Sequence, residues 1–250
     1  MILRRFMQHV KEQNWFAVGL DVVVVIVGIF LGMQVQQWYE NRKDRQLESE
    51  YINRIEKDLI KDINELNYSI KVQMDRQSMG RLLIESLSNK EIINDDPSLY
   101  VKAVLQAGYT LSPEINDDTF EELKSSGRLP LIMNQELRSK ISAYYNLISQ
   151  TEQWNYLREL YQTEYIKRSV GILTLQQQEK ILGESDATFT LAEAEELHDK
   201  LLASKELIEW LPLSVTRYHI AFVFEEQKQE ACKLLSDLNE EALETVNCLP

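Results

Sequence analysis

One apolar run dominates the chain: residues 16–38, FAVGLDVVVVIVGIFLGMQVQQW, carry a single charged side chain, Asp21. From Trp15 to Trp38 a helix would cover about 35 Å, against a hydrocarbon core of about 30 Å, so the segment is long enough to cross a bilayer. Trp15, Trp38 and Tyr39 stand at its ends, where interfacial aromatics are expected, and Arg42-Lys43-Asp44-Arg45 follows as a polar stop. Gln34, Gln36 and Gln37 replace the small residues that a cleavable signal peptide would need, so an uncleaved signal anchor is expected, with a buried soluble helix as the alternative. Steps of four, three and four residues put Asp21, Val25, Gly28 and Gly32 on one side of that helix. The Gly28-x-x-x-Gly32 spacing permits close helix approach, so this side is the expected transmembrane oligomerisation face, with Asp21 hydrogen-bonding across it. An interfacial carboxylate with no partner is the alternative.

Beyond the anchor the periodicity stays helical. Leu47, Tyr51, Ile55, Leu59, Ile63, Leu66 and Ile70 form an apolar seam at three- and four-residue spacing, and neither Gly nor Pro interrupts residues 33–79. The membrane helix is expected to run unbroken into a stalk ending at Asn94-Asp95-Asp96-Pro97; a hinge near Arg42–Arg45 is the competing picture. Pro97 suits the first turn of a short helix closed by Gly108. Asp118 and Glu121 resemble a capping box opening Thr119–Ser126, which Gly127 would end. Asn134 caps a long helix from about Gln135 to Gly171, whose apolar stripe includes Ile141, Tyr144, Tyr145, Leu157, Leu160 and Tyr165. Thr174-x-x-Gln177 and Thr190-x-x-Glu193 are further capping boxes, the second for a helix reaching about Trp210. Pro212 would separate it from a last helix over about 213–246, whose apolar His219–Phe224 centre is expected to be deeply buried.

The predicted fold is therefore all-α: an N-terminal transmembrane helix continuing into a long stalk helix, with an antiparallel helical bundle. The expected organisation is an amphipathic segment at 1–14, where Ile2, Leu3, Phe6, Met7 and Val10 alternate with basic residues, a transmembrane helix at 15–39, a stalk and first bundle arm at 40–96, and the rest of the bundle at 97–250. An unstructured tail is the alternative for residues 1–14. Few Gly (8) and Pro (5) in 250 residues agree with a helical chain.

Charge narrows the partners. The net charge is −13, and it is unevenly placed: residues 1–45 hold six basic and four acidic side chains, the remainder 21 and 36. That acidic body repels a phosphate backbone, so no nucleic-acid partner is expected. Three basic residues precede the span and three follow it closely, which leaves the positive-inside count nearly even; a short basic N-terminus before a long acidic domain tips it toward a cytoplasmic N-terminus with the body exported. Cys232 and Cys248, if both lie on the last helix, are about 24 Å apart and cannot bridge within one chain. Cys232 then reads as a small core side chain, and Cys248 as a candidate for pairing between chains.

Chemistry is sparse. Glu195-x-x-His198 has the helical spacing of one ligand pair in di-iron carboxylate bundles, but Phe6 and Thr216 stand three residues before His9 and His219, so no second pair exists. There is no phosphate-cradling Gly loop and no nucleophile elbow. No catalytic residue, cofactor or metal site is expected.

The stretch from Asp21 through VVVVIVGIFLGMQVQQWYENRKDR, and again TFEELKSSGRLPLIMNQELRSKISAYY at 119–145, resembles a family of uncharacterised single-pass bacterial membrane proteins. Asp21, Gly28 and Trp38 fall at matching places, Gly32 where the family tends to have a small residue, and residues 170–250 lie outside the resemblance. It implies a membrane-anchored helical domain of unknown function in the bacterial inner membrane and carries over no catalytic residue. The expected function is a non-enzymatic sensor, scaffold or accessory subunit, a homo-oligomer in the lipid bilayer with an unidentified protein partner. The alternative is a membrane-bound effector, enzyme or pore accessory whose site forms only in an oligomer.

Overall fold

The computed structural model describes residues 15–184, 186–215 and 218–248, and over these the fold is all-α. The amphipathic reading of residues 1–14, and His9 with it, lies outside the described residues. Helix α1 (Trp15–Ser86) is followed by α2 (Pro97–Gln106), α3 (Asp118–Ser125), α4 (Gln135–Thr151), α5 (Gln153–Ser169), α6 (Leu175–Gly183), α7 (Leu191–Ala203), α8 (Lys205–Val215) and α9 (Tyr218–Leu238). The residues fall into two compact units, one comprising the chain up to Asn53 with Pro130–Met133, the other the remainder.

In the first unit α1 runs through the valine-rich segment without a hinge at Arg42–Arg45. Glu48 accepts the Met133 N–H at 2.7 Å, and Ile132 and Tyr51 are buried.

The second unit is a helical bundle. Its core takes up the α1 seam as expected: Ile55, Leu59, Ile63, Leu66 and Ile70 are all buried. At about 1.5–3 kcal/mol for each fully buried side chain of this size, the seam is a principal source of the unit's stability. Helix α3 runs antiparallel to α1, pinned by Arg54–Glu122 (2.7 Å), by the Thr119 hydroxyl on Asp58, and by Asn116 on Asp62. Helices α4 and α9 are likewise antiparallel, joined by Lys140–Asp237 at one end and Gln227–Thr151 at the other. A second apolar core gathers Leu83, Tyr100, Val104, Tyr165, Leu197 and Leu211 from α1, α2, α5, α7 and α8. Gly108 is required there, because a Cβ would sit 1.9 Å from the Tyr165 ring.

Local signals explain most boundaries. Both Thr boxes form: Thr174 with Gln177 opens α6, and Thr190 with Glu193 opens α7. Gly127 takes φ 68°, and Gly127 N–H to Lys124 O with Arg128 N–H to Leu123 O close α3 in a Schellman motif.

Several boundaries differ from expectation. The first arm ends at Ser86 rather than Pro97, and a 3₁₀ turn (Lys90–Asn94) capped by Asn89 intervenes. The Asp118 box does not form; Asp118 is already inside α3, and Glu121 pairs with Lys124 at 2.8 Å. The long fourth helix breaks at Glu152, where the Thr151 hydroxyl donates back to Leu147 O and Ile148 O, a contact that bends helices. Helix α5 buries Arg158 and Tyr165, seven positions apart on one face, and leaves Leu157 and Leu160 at 37% and 43% exposure. The helix begun at Thr190 stops at Ser204, and Pro212 lies inside α8 instead of dividing two helices. Phe224 is buried but Phe222 is 57% exposed, so the centre of the last helix is not buried all round.

The cysteine expectation is overturned. Helix α9 ends at Leu238, Asn239 caps a 3₁₀ turn (Glu240–Thr245), and the chain folds back until Cys232 and Cys248 have Cα atoms 6.0 Å apart and form a disulfide. The 24 Å separation assumed one continuous helix, which Asn239 interrupts.

Candidate functional site

Two regions stand out. The first is the predicted transmembrane face. Asp21, Val25, Gly28 and Gly32 all lie on α1, and a Cβ at either glycine would meet nothing within 4 Å. Asp21 is half-buried, and its Oδ2 is enclosed without a hydrogen-bond partner. From Val22 to Val35 the large apolar side chains are 46–66% exposed. Among the described residues nothing packs around this apolar surface, and the helix is long and apolar enough to cross a membrane.

The second region was not singled out in the sequence. Where α4 breaks into α5, the bundle holds a cavity of about 250 Å³. Ser149, Thr151, Glu152 and Asn155 reach it from the break, Phe224 and Gln227 from α9, and Asp117, Phe120 and Glu121 from α3 and the residue before it. Arg158 lines it while only 3% exposed; its Nε donates to Ser112 Oγ at 3.2 Å, and its guanidinium lies 4.7 Å from the Phe224 ring centre. Gln227 is 4% exposed; its Nε2 donates to Thr151 Oγ1, and its Oε1 has no partner. The Phe120 and Tyr145 rings stack at 4.5 Å and form one wall. Sequence reading did not single out this place: Arg158 lies seven positions before Tyr165, on the side of the predicted apolar stripe, but a cavity at the helix break follows only from the tertiary packing.

Beside the cavity, Asp62 is fully buried on α1. Asn116 donates to its Oδ1 from both N–H and Nδ2, at 2.8 and 2.9 Å, and Tyr144 donates to its Oδ2 at 2.8 Å. Burial pushes this carboxyl up to about 6; the hydrogen bonds from Asn116 and Tyr144 oppose the shift, and the nearby Asp58 charge adds to it. The Tyr144 hydroxyl is raised well above its ordinary value, first by burial and then by the Asp62 charge.

The Glu195/His198 pair divides. His198 is buried and bonds through Nδ1 to the Tyr100 hydroxyl at 2.7 Å, which also meets Ser86 Oγ; Glu195 lies 3.6 Å from Lys90. Burial, and then the Lys90 charge, hold the His198 pKa down. Among the described residues no group of three or more His, Cys, Asp or Glu side chains is placed to hold a metal ion. The side chain of His219 lies outside the described residues.

The fold and these features define a class: an all-α protein whose single long apolar N-terminal helix is able to cross a membrane and whose remaining residues build a helical bundle. The chain belongs to a family of unknown function, DUF6090, whose model matches residues 21–180, from the carboxylate ahead of the valine run to the middle of α6. No curated protein and no solved structure matched the chain.

Proposed function

We propose that this protein is a non-enzymatic membrane sensor, scaffold or accessory subunit, anchored by residues 15–39 as a single-pass helix in the bacterial inner membrane, with its N-terminus cytoplasmic and its bundle exported. The observation that carries the reading is the exposed apolar surface of α1 from Val22 to Val35, which lipid would cover. The Cys232–Cys248 disulfide supports export, because such bonds persist in oxidising compartments. The anchor assembles into a homo-oligomer through Asp21, Val25, Gly28 and Gly32: the glycines let backbones approach, and the carboxylate hydrogen-bonds across the interface. An open space where each glycine Cβ would lie is consistent with a second helix seated there. Crosslinking in native membranes tests this. Wild type is expected to give a defined oligomer, and Gly28→Leu and Asp21→Leu a monomer; a monomeric wild type rejects the oligomer.

A further inference from the structure

A groove elsewhere in the bundle, apart from the cavity at the α4–α5 break, has a volume of about 510 Å³, within the range of small-molecule sites. Helix α1 lines it with Tyr68, Val72, Asp75 and Met79, whose steps of four, three and four residues put them on one face. Leu105 and Gln106, the last two residues of α2, bring the end of that helix to the groove, followed by Tyr109; Ile166 and Leu182 come from α5 and α6. Tyr68, Tyr109, Ile166 and Leu182 are each 46–78% exposed, so the bundle itself leaves this apolar surface uncovered.

Charge decides what covers it. Two charged residues line the groove, Asp75 and Arg76. Arg76 is 3% exposed and is engaged within the bundle, so it offers a ligand almost no surface. Asp75 is exposed, and among the described residues it makes no hydrogen bond or ion pair. The C-terminal end of α2 adds a partial negative charge, with no basic residue in its last turn to offset it. Tyr68 and Tyr109 add aromatic rings, whose faces attract cations. All three features disfavour an anion, and walls such as Val72, Met79 and Leu105 cannot replace the hydration shell of a bare metal ion. We propose that this groove binds an organic ammonium cation with an apolar body. Its charge lies near Asp75 and the tyrosine rings, and its body lies against the apolar wall. The site gives the sensor reading a ligand class and rests on that reading for its role, while the binding itself is a property of the bundle.

The test uses the full-length chain in phosphatidylcholine nanodiscs, with empty discs as the blank. Three probes share one body and differ in charge: para-tert-butylbenzylammonium, the neutral para-tert-butylbenzyl alcohol and the anion para-tert-butylbenzoate. Calorimetry should show the ammonium binding with a Kd on the order of 0.1 mM, and the alcohol and the benzoate at least about tenfold more weakly. Asp75→Asn, at an exposed position, should weaken the ammonium about fivefold at low salt and less at high salt, and leave the alcohol unchanged. Tyr109→Leu keeps an apolar side chain and removes the ring, and should weaken the ammonium about threefold. Attraction to the acidic surface at large would survive both substitutions, so either variant, folded and binding the ammonium as tightly as wild type, overturns the proposal. No binding of the ammonium up to about 5 mM, or equal binding of the alcohol or the benzoate, also overturns it. Fractionation and crosslinking of native membranes report separately on the anchor and oligomer, so failure of the ligand leaves a distinct signature from failure of the sensor's membrane assembly.

Discussion

The residue whose energetics depend most on solution conditions is Asp62. Its folded pKa lies near 6 against an ordinary 3.8, so the native state holds the proton more tightly than the unfolded chain. The stabilisation from that proton is complete below about pH 4 and is lost as pH rises through 6. An Asp62→Asn variant lacks the titration. The stability difference between wild type and variant, measured by urea unfolding from pH 4 to pH 7, should therefore change by on the order of 2–3 kcal/mol, with wild type losing ground as pH rises. A pH-independent difference would mean that burial does not govern this carboxyl. Gly108 gives a second residue-scale expectation. A Cβ placed 1.9 Å from the buried Tyr165 ring must displace it, and that ring is held by its hydroxyl on Val104 O at 2.8 Å, so Gly108→Ala should cost about 1–3 kcal/mol. An unchanged melting temperature would show that the ring moves aside freely.

At the scale of elements, the disulfide closes the C-terminal turn back onto α9 across a sequence separation of 16 residues. Cys232→Ser should lower stability by about 3 kcal/mol in oxidising conditions and leave it little changed under reductant, both read by thermal unfolding. The elements also show what a sequence discloses about itself. The α1 seam, both Thr boxes, the Pro97 start and the Gly127 stop were legible because each rests on residues within one or two turns. The break at Glu152, the stop at Ser204 and the turn at Asn239 were not. Helical periodicity continues across all three, and the interruptions come from single polar side chains whose choice between solvent and backbone only tertiary packing decides. The cavity went unseen because it opens at the Glu152 break, which helical periodicity does not mark. The disulfide was likewise hidden by the assumption of one unbroken final helix. The long apolar helix carrying Asp21, Val25, Gly28 and Gly32 was legible outright, because its hydrophobic run is unbroken.

At the scale of the whole molecule, one helix of 72 residues contains both the long apolar segment and the seam buried in the bundle. The sharpest requirement of the proposed function is that the bundle stands on the exported side. Both native cysteines are bonded to each other, so a cysteine introduced at the exposed Ser88 is a clean reporter. The most direct measurement is labelling of Ser88→Cys in intact spheroplasts with a membrane-impermeant maleimide. Labelling without lysis is the predicted result, and labelling only after lysis would contradict it.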